Sequence, residues 1–193
     1  MAKSSRQWMR RHVTDAYVKK ARDEGYRSRA AYKLLEIDAK EKLLRPGAVV
    51  LDLGAAPGGW SQVAAKKGAK VVAIDLLPMA PIPGVEVRRG DFRGALQDLP
   101  AFDVVLSDLS PNLSGIRNVD QAMALELLLA AIDVCRSNLK PTGAFVTKAF
   151  HGEAFPEALA NLQAAFSQVK VIKPAASRGE SRETYFLARG LRA

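Results

Sequence analysis

Residues 51–60, LDLGAAPGGW, decide the fold of this chain. An apolar strand leads into a turn that contains Gly54, Gly58 and Gly59. These glycines allow the backbone to turn tightly and a ligand to approach it closely. A strand, a glycine-rich turn and a helix in this order are typical of the first unit of a parallel α/β sheet. The turn is not the dinucleotide fingerprint, because Ala56 stands where a second glycine would admit a pyrophosphate.

Outward from this turn, short apolar runs alternate with helical patterns. Strands are predicted at 48–53, 70–75, 85–90, 103–108, 143–148, 168–173 and 184–189. Helices are predicted at 59–67, 119–138 and 154–166, with another beginning at a Ser28 cap and ending at Arg45-Pro46-Gly47. The alternation predicts a doubly wound α/β sheet, covered by helices on both faces. The segment between the last two strands is too short for a parallel crossover, so the final strand is predicted to be antiparallel.

Composition limits the class of protein. The 193 residues fit one domain, and 48% hydrophobic with 25% charged residues is ordinary for a soluble globular protein. No apolar run is long enough to span a membrane, and the polar N-terminus has no secretory h-region, so we expect a cytoplasmic protein. The single Cys135 is interpreted as core packing, and with His12 and His151 it cannot form a histidine/cysteine zinc site. No metal is expected.

The net charge of +9 is concentrated near the N-terminus. Residues 1–45 hold 13 basic against 6 acidic residues, whereas the rest of the chain holds 16 against 14. Such an arm favours binding to a phosphate backbone, and the interleaved Trp8, Tyr17 and Tyr26 favour RNA over a merely solvated tail. We therefore predict a basic RNA-binding arm at 1–27 and a single folded domain at 28–193. The predicted RNA-binding residues are Arg6, Arg10, Arg11, Lys19, Lys20, Arg22, Arg27 and Arg29.

Ionisable residues stand where successive predicted strands end. They are Asp52, Asp75, Asp91, Asp108 and Lys148. The carboxyl ends of strands in an open α/β sheet border the ligand crevice, and an antiparallel last strand would begin at that same edge with Glu183. The alternative for Asp75 and Asp91 is helix capping alone. Glu183, and likewise Lys33 on the predicted helix that begins at Ser28, would each in isolation be interpreted as a member of a surface ion pair rather than of a site.

Asp75 follows Gly54 by 21 residues, at the end of the second strand, where it is suitably placed to accept hydrogen bonds from ribose hydroxyls. Without a pyrophosphate site, this favours an adenosine-containing cofactor such as S-adenosylmethionine. Asp91 is predicted to accept from the adenine amino group. Trp60 either packs below the cofactor or fills the helix–sheet interface.

With these motifs the chain resembles the FtsJ/RrmJ type of ribosomal RNA large-subunit 2′-O-ribose methyltransferase. The shared motifs are SRAAYKL (28–34), DLGAAPGGWSQ (52–62), DLLPM (75–79), GDFR (90–93), SDLSPN (107–112), TKAF (147–150) and SRE (181–183). The resemblance covers nearly the whole domain. It implies a Rossmann-like class I methyltransferase fold, with a seven-stranded, mostly parallel sheet and an antiparallel last strand.

The resemblance also implies the site residues and the substrate. The family's Lys-Asp-Lys-Glu tetrad falls on Lys33, Asp108, Lys148 and Glu183, with Lys148 as the proton acceptor. Its S-adenosylmethionine contacts fall on Gly58, Trp60, Asp75, Asp91 and Asp108. The implied substrate is a uridine of 23S ribosomal RNA, within the large ribosomal subunit, and the implied enzyme is a monomer.

Other interpretations stay open at this point. Related enzymes use the same tetrad on transfer RNA or messenger RNA caps, so another structured RNA is an alternative substrate. A catalytically silent RNA-binding or ribosome-assembly factor is a second alternative, although binding alone needs no lysine between two carboxylates. A nicotinamide-dependent oxidoreductase is a third, disfavoured by Ala56 and by the basic arm.

Overall fold

Alternating strands and helices form the described part of the chain. The computed structural model describes residues 15–94, 99–112, 114–177 and 181–192. The helices are α1 (Ala16–Asp23), α2 (Ala30–Glu41), α3 (Gly59–Lys66), α4 (Arg117–Asn138) and α5 (Phe155–Ala165). The strands are β1 (Val49–Leu53), β2 (Lys70–Asp75), β3 (Val85–Arg89), β4 (Phe102–Ser107), β5 (Leu139–Phe150), β6 (Phe166–Ile172) and β7 (Glu183–Leu191).

One seven-stranded sheet joins all these strands in the order β3-β2-β1-β4-β5-β7-β6. The first five strands pair in parallel, and β7 runs antiparallel to both β5 and β6. The predicted mostly parallel α/β sheet with an antiparallel last strand is therefore confirmed. Because β7 runs against β5, its first residues lie at the edge where β1, β4 and β5 end.

Two apolar layers lie on opposite faces of this sheet. One packs beneath α4 and α5, and the other packs beneath α2 and α3. The neighbouring residues Phe145 and Val146 on β5 belong to different layers, and both are fully buried. This double burial explains why the central strands are apolar almost throughout.

Helix α2 is shorter at both ends than the predicted helix. It begins after Arg29, with no capping bond from a side chain, so the expected Ser28 cap is wrong. It ends at Glu41 rather than at Arg45-Pro46-Gly47, because Lys42 takes a left-handed conformation with φ of 54°. The chain leaves the helix there to bury Leu43 and Leu44, and Asp38 holds the exit by accepting from the Leu44 N–H at 2.7 Å.

Helix α1 was not predicted, and it lies within the segment expected to be a basic arm. Asp15 caps it by accepting from the Tyr17 N–H at 3.0 Å. The Tyr17 hydroxyl donates to Glu36 of α2, and the Tyr17 and Tyr32 rings pack with their centroids 5.4 Å apart. Residues 15–27 are thus attached to the domain, whereas Arg6, Arg10 and Arg11 lie outside the described residues. The arm's boundary at 27/28 stays a prediction.

Membrane insertion finds no support in these helices. Across residues 15–94, 99–112, 114–177 and 181–192, none of them combines the length and the apolarity that crossing a bilayer needs.

Candidate active site

The reactive side chains gather at the edge where β4 and β5 end and β7 begins. Lys148 lies directly across the β5–β7 ladder from Tyr185, and Phe150 lies across from Glu183. Side chains two residues apart on a strand share a face, so Glu183 and Tyr185 project to the same side as Lys148. Asp108 follows β4, the other neighbour of β5. The topology therefore brings together three members of the predicted tetrad.

The first ion pair of the site joins Lys148 to Asp108. The Lys148 Nζ lies 3.3 Å from Asp108 Oδ1 and donates a 2.8 Å hydrogen bond to the Asp108 backbone carbonyl. Only 8% of the Lys148 side chain is exposed, so this amine is held in one place and is shielded from most of the solvent. A fixed, desolvated amine is the kind of group that a proton transfer needs.

The second ion pair joins Lys33 of α2 to Glu183 of β7, with 2.6 Å between Lys33 Nζ and Glu183 Oε1. The Ser177 hydroxyl donates to the same oxygen at 3.1 Å. Burial alone would raise the pKa of Glu183, but the Lys33 ammonium, with help from Lys148 and Ser177, outweighs it and lowers that pKa. Glu183 is thus a carboxylate whose ion-pair partner is Lys33.

Tyr185 connects the two ion pairs, and sequence reasoning missed it. Its hydroxyl donates to Asp108 Oδ1 at 3.0 Å, and the Lys33 Nζ lies 5.8 Å from the centroid of its ring. The residue is fully buried, and this burial, followed by the nearby charge of Asp108, raises the pKa of the phenol well above its usual value. Tyr185 therefore stays protonated and acts as a donor. The alternation of β7 carried the signal, since Tyr185 stands two residues after Glu183.

A cradle for an adenosine-containing ligand lies beside this cluster, at the ends of β1 and β2. Gly54 turns with φ of +71°, and its N–H donates to the Ile74 carbonyl at 2.9 Å. Both Asp75 oxygens accept backbone N–H groups, from Ala56 at 2.9 Å and from Leu77 at 2.8 Å. Each oxygen keeps a second lone pair, so the fixed carboxylate can still accept from ribose hydroxyls.

The loop after β1 and the loop after β2, which form this cradle, approach each other closely. A Cβ on Gly58, where φ is +109°, would lie 2.6 Å from Ile82 and 3.1 Å from the sulfur of Met79. The Arg27 guanidinium donates to the carbonyls of Pro57, Ala80 and Pro81, with distances from 2.6 to 3.2 Å, and so ties the loops together. The fixed acceptors of Asp75 beside this glycine turn fit the ribose hydroxyls of a nucleoside-containing cofactor.

The other predicted cofactor residues, Asp91 and Trp60, already have hydrogen-bond partners within the protein. Asp91 follows β3, and its carboxylate is paired with Arg93 at 2.6 Å; those hydrogen bonds lower the pKa of Asp91. A ligand amino group would have to share this carboxylate with a guanidinium. Trp60 is buried, donates its indole N–H to the Ala30 carbonyl at 2.8 Å and packs 5.5 Å from the Tyr185 ring. Its side chain thus fills the interface of α2, α3 and the sheet, the second of the two roles expected for it.

The described members of the basic set divide into two groups. Arg27 and Arg29 use their guanidinium groups within the protein, Arg29 by pairing with Asp15 and by donating to the Ala176 carbonyl. Lys19, Lys20 and Arg22 lie exposed on α1. Lys20 and Arg22 also form exposed ion pairs, with Glu24 at 3.8 Å and with Asp23 at 4.0 Å.

The residues described show no group of three or more histidine, cysteine, aspartate or glutamate side chains that could hold a metal ion.

Comparison with known proteins places this arrangement in a family. The sequence profile of FtsJ-like methyltransferases matches residues 26–191. The chain belongs to the FtsJ-like methyltransferase family. The predicted resemblance and the predicted enzyme class are therefore confirmed.

Relatives of this FtsJ-like chain match it over nearly its whole length. Ribosomal RNA large subunit methyltransferase E of Marinobacter nauticus is 49% identical over 203 residues, which cover 99% of this chain and 98% of that protein. The protein of the same name from Thiobacillus denitrificans is 51% identical over 199 residues, covering 97% and 90%.

Solved structures agree on the fold. A ribosomal RNA methyltransferase from Plasmodium falciparum superposes with a TM-score of 0.75 at 29% identity, covering 86% of this chain and 98% of that one. Human methyltransferase-like protein 13 in complex with SAH superposes with a TM-score of 0.58 at 18% identity, covering 83% and 79%. The second likeness concerns the Rossmann-like fold alone.

Proposed function

We propose that this chain transfers a methyl group from S-adenosylmethionine to the ribose 2′-hydroxyl of a uridine in 23S ribosomal RNA of the large ribosomal subunit. The observation that carries the proposal is the largely shielded Lys148–Asp108 pair, which lies with Tyr185 next to the Lys33–Glu183 pair, beside the glycine turn whose Ala56 N–H binds Asp75. The names of the full-length relatives support ribosomal RNA of the large subunit as the substrate.

S-adenosylmethionine supplies a methyl group on a sulfonium, which is electrophilic enough to need little activation. The work left to the protein is to align the hydroxyl and to remove its proton. Gly58 and Asp75 would hold the nucleoside end of the cofactor, with Asp91 near its base and the backbone at Trp60 beside the turn. These residues bind and orient, and they take no part in the proton transfer.

Lys148 acts as the proton acceptor in this mechanism. S-adenosylmethionine would supply the methyl group for the 2′-oxygen, and the amine of Lys148 would accept the proton that this oxygen loses. Asp108 fixes the direction of the amine and stabilises the ammonium that results. We assign to Lys33, which Glu183 anchors, the role of positioning the ribose or its phosphate. DNA has no 2′-hydroxyl, so this chemistry selects RNA.

The test compares the wild-type chain with Lys148→Ala on large ribosomal subunits and on total RNA, with methyl-labelled cofactor. We expect Lys148→Ala to abolish transfer while leaving cofactor affinity within a few-fold, because Lys148 lies outside the cradle. Lys140→Ala is the matched control, since Lys140 is on the same strand but pairs with Asp103 at the opposite end. Near-normal turnover by Lys148→Ala would remove Lys148 from the role of base.

Mapping of 2′-O-methylation across total RNA, with and without the active chain, identifies the substrate. A single uridine of 23S ribosomal RNA is the expected result. Methylation only of transfer RNA would replace the proposed substrate, and no transfer to any RNA would favour a binding factor. We further propose that the chain acts as a monomer in the cytoplasm, with Lys19, Lys20 and Arg22 of α1 contacting RNA phosphates.

A further inference from the structure

Segment 173–177, which follows β6, carries a hydrogen-bond donor to the predicted tetrad. The Ser177 hydroxyl donates to Glu183 Oε1 at 3.1 Å, and the same oxygen lies 2.6 Å from the Lys33 Nζ. Both partners are shielded from solvent, since 4% of Ser177 and 14% of the Glu183 side chain are exposed. Water competes little for a hydrogen bond in such surroundings, so the position of the Ser177 hydroxyl helps to set the direction of the carboxylate.

A carboxylate on α2 binds the backbone of this segment. Glu36 Oε2 accepts from the Ala175 N–H at 2.6 Å, and Glu36 Oε1 accepts from the Ala176 N–H at 3.0 Å. The Tyr17 hydroxyl of α1 donates to the same Oε1 at 3.3 Å, which restrains the carboxylate from the other side. Ala176 is fully buried, so its N–H would lose its partner without gaining water if the Glu36 side chain were removed.

A guanidinium binds the other backbone polar group of the same residue. Arg29, which directly precedes α2, donates to the Ala176 carbonyl and pairs with Asp15 at the start of α1. Glu36 and Arg29 therefore bind both the N–H and the carbonyl of Ala176, the residue before Ser177. These contacts hold the Ser177 hydroxyl beside the tetrad.

We propose that Glu36 is a positioning residue for methyl transfer: by holding segment 173–177 it keeps the Ser177 hydroxyl on Glu183, and Glu183 in turn keeps Lys33 in place. This inference rests on the proposed function, in which Lys33 positions the ribose or its phosphate. A carboxylate that only stabilised the fold would leave the Lys33–Glu183 pair unchanged when it is removed. The two roles are therefore separable by experiment.

The first test measures methyl transfer by Glu36→Ala, Ser177→Ala and the double variant. We expect each single variant to lower kcat about fivefold, the value of one ordinary hydrogen bond, with an unchanged KM for S-adenosylmethionine. The double variant should lose no more than Glu36→Ala does, because both changes act through one hydroxyl. Losses that multiply would show that the two residues act independently, which would overturn the proposal.

Glu41→Ala is the matched control for Glu36→Ala. Glu41 lies on the same helix and is also an anchored carboxylate, but its partners are Lys170 on β6 and Arg189 near the end of β7. Its removal costs ion pairs without touching segment 173–177. We therefore expect Glu41→Ala to leave kcat unchanged, and a loss equal to that of Glu36→Ala would overturn the proposal.

The second test titrates the Glu183 carboxyl by carbon-13 NMR in the chain without cofactor or RNA. Burial raises the pKa of Glu183, and Lys33, followed by Lys148 and Ser177, outweighs that effect. We expect this pKa to rise in Ser177→Ala and in Glu36→Ala, because the hydroxyl no longer donates to the carboxylate.

The titration requires no turnover, so it separates the positioning role from the proposed function. Absence of methyl transfer by the wild-type chain would contradict the proposed function alone. An unchanged Glu183 pKa in Glu36→Ala would overturn the positioning role, whatever the turnover. Glu36→Gln, which keeps one acceptor oxygen, takes the place of Glu36→Ala if that variant does not fold, and the same two outcomes apply to it.

Discussion

Replacing Asp52 by asparagine should remove a pH-dependent destabilisation of the fold. The side chain is completely buried at the end of β1, where Oδ2 accepts a 2.6 Å hydrogen bond from the Ser61 hydroxyl. Its Oδ1 has no hydrogen-bond partner among the described residues. Burial, with a smaller contribution from the charge of Asp108, raises the pKa of Asp52 from 3.8 to about 7 against the opposing Ser61 bond.

The raised pKa of Asp52 determines how the stability of the fold changes with pH. Because the pKa of Asp52 is higher in the folded chain than in the unfolded chain, the folded state holds the proton more tightly. The stability that the protonated Asp52 contributes to the fold is therefore fully present below pH 3.8 and is lost as the pH rises through about 7. With 1.36 kcal/mol for each pH unit between the two pKa values, the loss amounts to about 4 kcal/mol at most.

Urea unfolding between pH 4 and pH 8, without cofactor, measures this difference. Asp52→Asn keeps an acceptor for the Ser61 hydroxyl but cannot ionise, so its free energy of unfolding relative to wild type should rise with pH across this range. Asp103→Asn is the control of opposite sign. The Val49 N–H and Lys140 lower the pKa of Asp103, so that carboxylate stabilises the fold above pH 3.8, and its loss should weaken the fold at neutral pH. If the difference between Asp52→Asn and wild type did not change with pH, the reasoning would be refuted.

Three further substitutions test the site. Tyr185→Phe removes the hydroxyl that donates to the Asp108 carboxylate, and a hydrogen bond to a charged group contributes about 1.5 kcal/mol or more. We therefore expect kcat to fall about tenfold with an unchanged KM for RNA. An unchanged kcat would exclude a positioning role for Tyr185. Gly54→Ala places a Cβ 2.6 Å from a leucine side chain, whereas Gly25 has a similar φ but open space around it. Gly54→Ala should therefore lower the free energy of unfolding by about 1–3 kcal/mol more than Gly25→Ala does. Equal losses would show that crowding at Gly54 has no effect. Arg27→Ala unties the cradle loops and should raise the KM for S-adenosylmethionine several-fold, and a change confined to the KM for RNA would contradict this.

The architecture of the sheet could be predicted because its signals are local. Every predicted strand overlaps an observed one, and the short link before Glu183 predicted the antiparallel β7. The end of α2 could not be predicted in the same way. It depends on the burial of Leu43 and Leu44 and on the Asp38 bond that holds the exit, which are tertiary interactions. Helix α1 was missed because its charged pattern resembles a solvated arm, whereas its stability comes from tyrosine contacts with α2.

The candidate site shows the same limit at the level of side chains. Strand order places Asp108, Lys148 and Glu183 at one edge, but it leaves open which carboxylate faces which amine. That choice depends on α2, which brings Lys33 to within 2.6 Å of Glu183 and so leaves Asp108 to Lys148. Tyr185 then joins the two pairs, because an antiparallel neighbour places every second side chain on the same face. The antiparallel β7 therefore does more than complete the sheet: it supplies Glu183, which pairs with Lys33, and the Tyr185 hydroxyl, which donates to the carboxylate paired with Lys148.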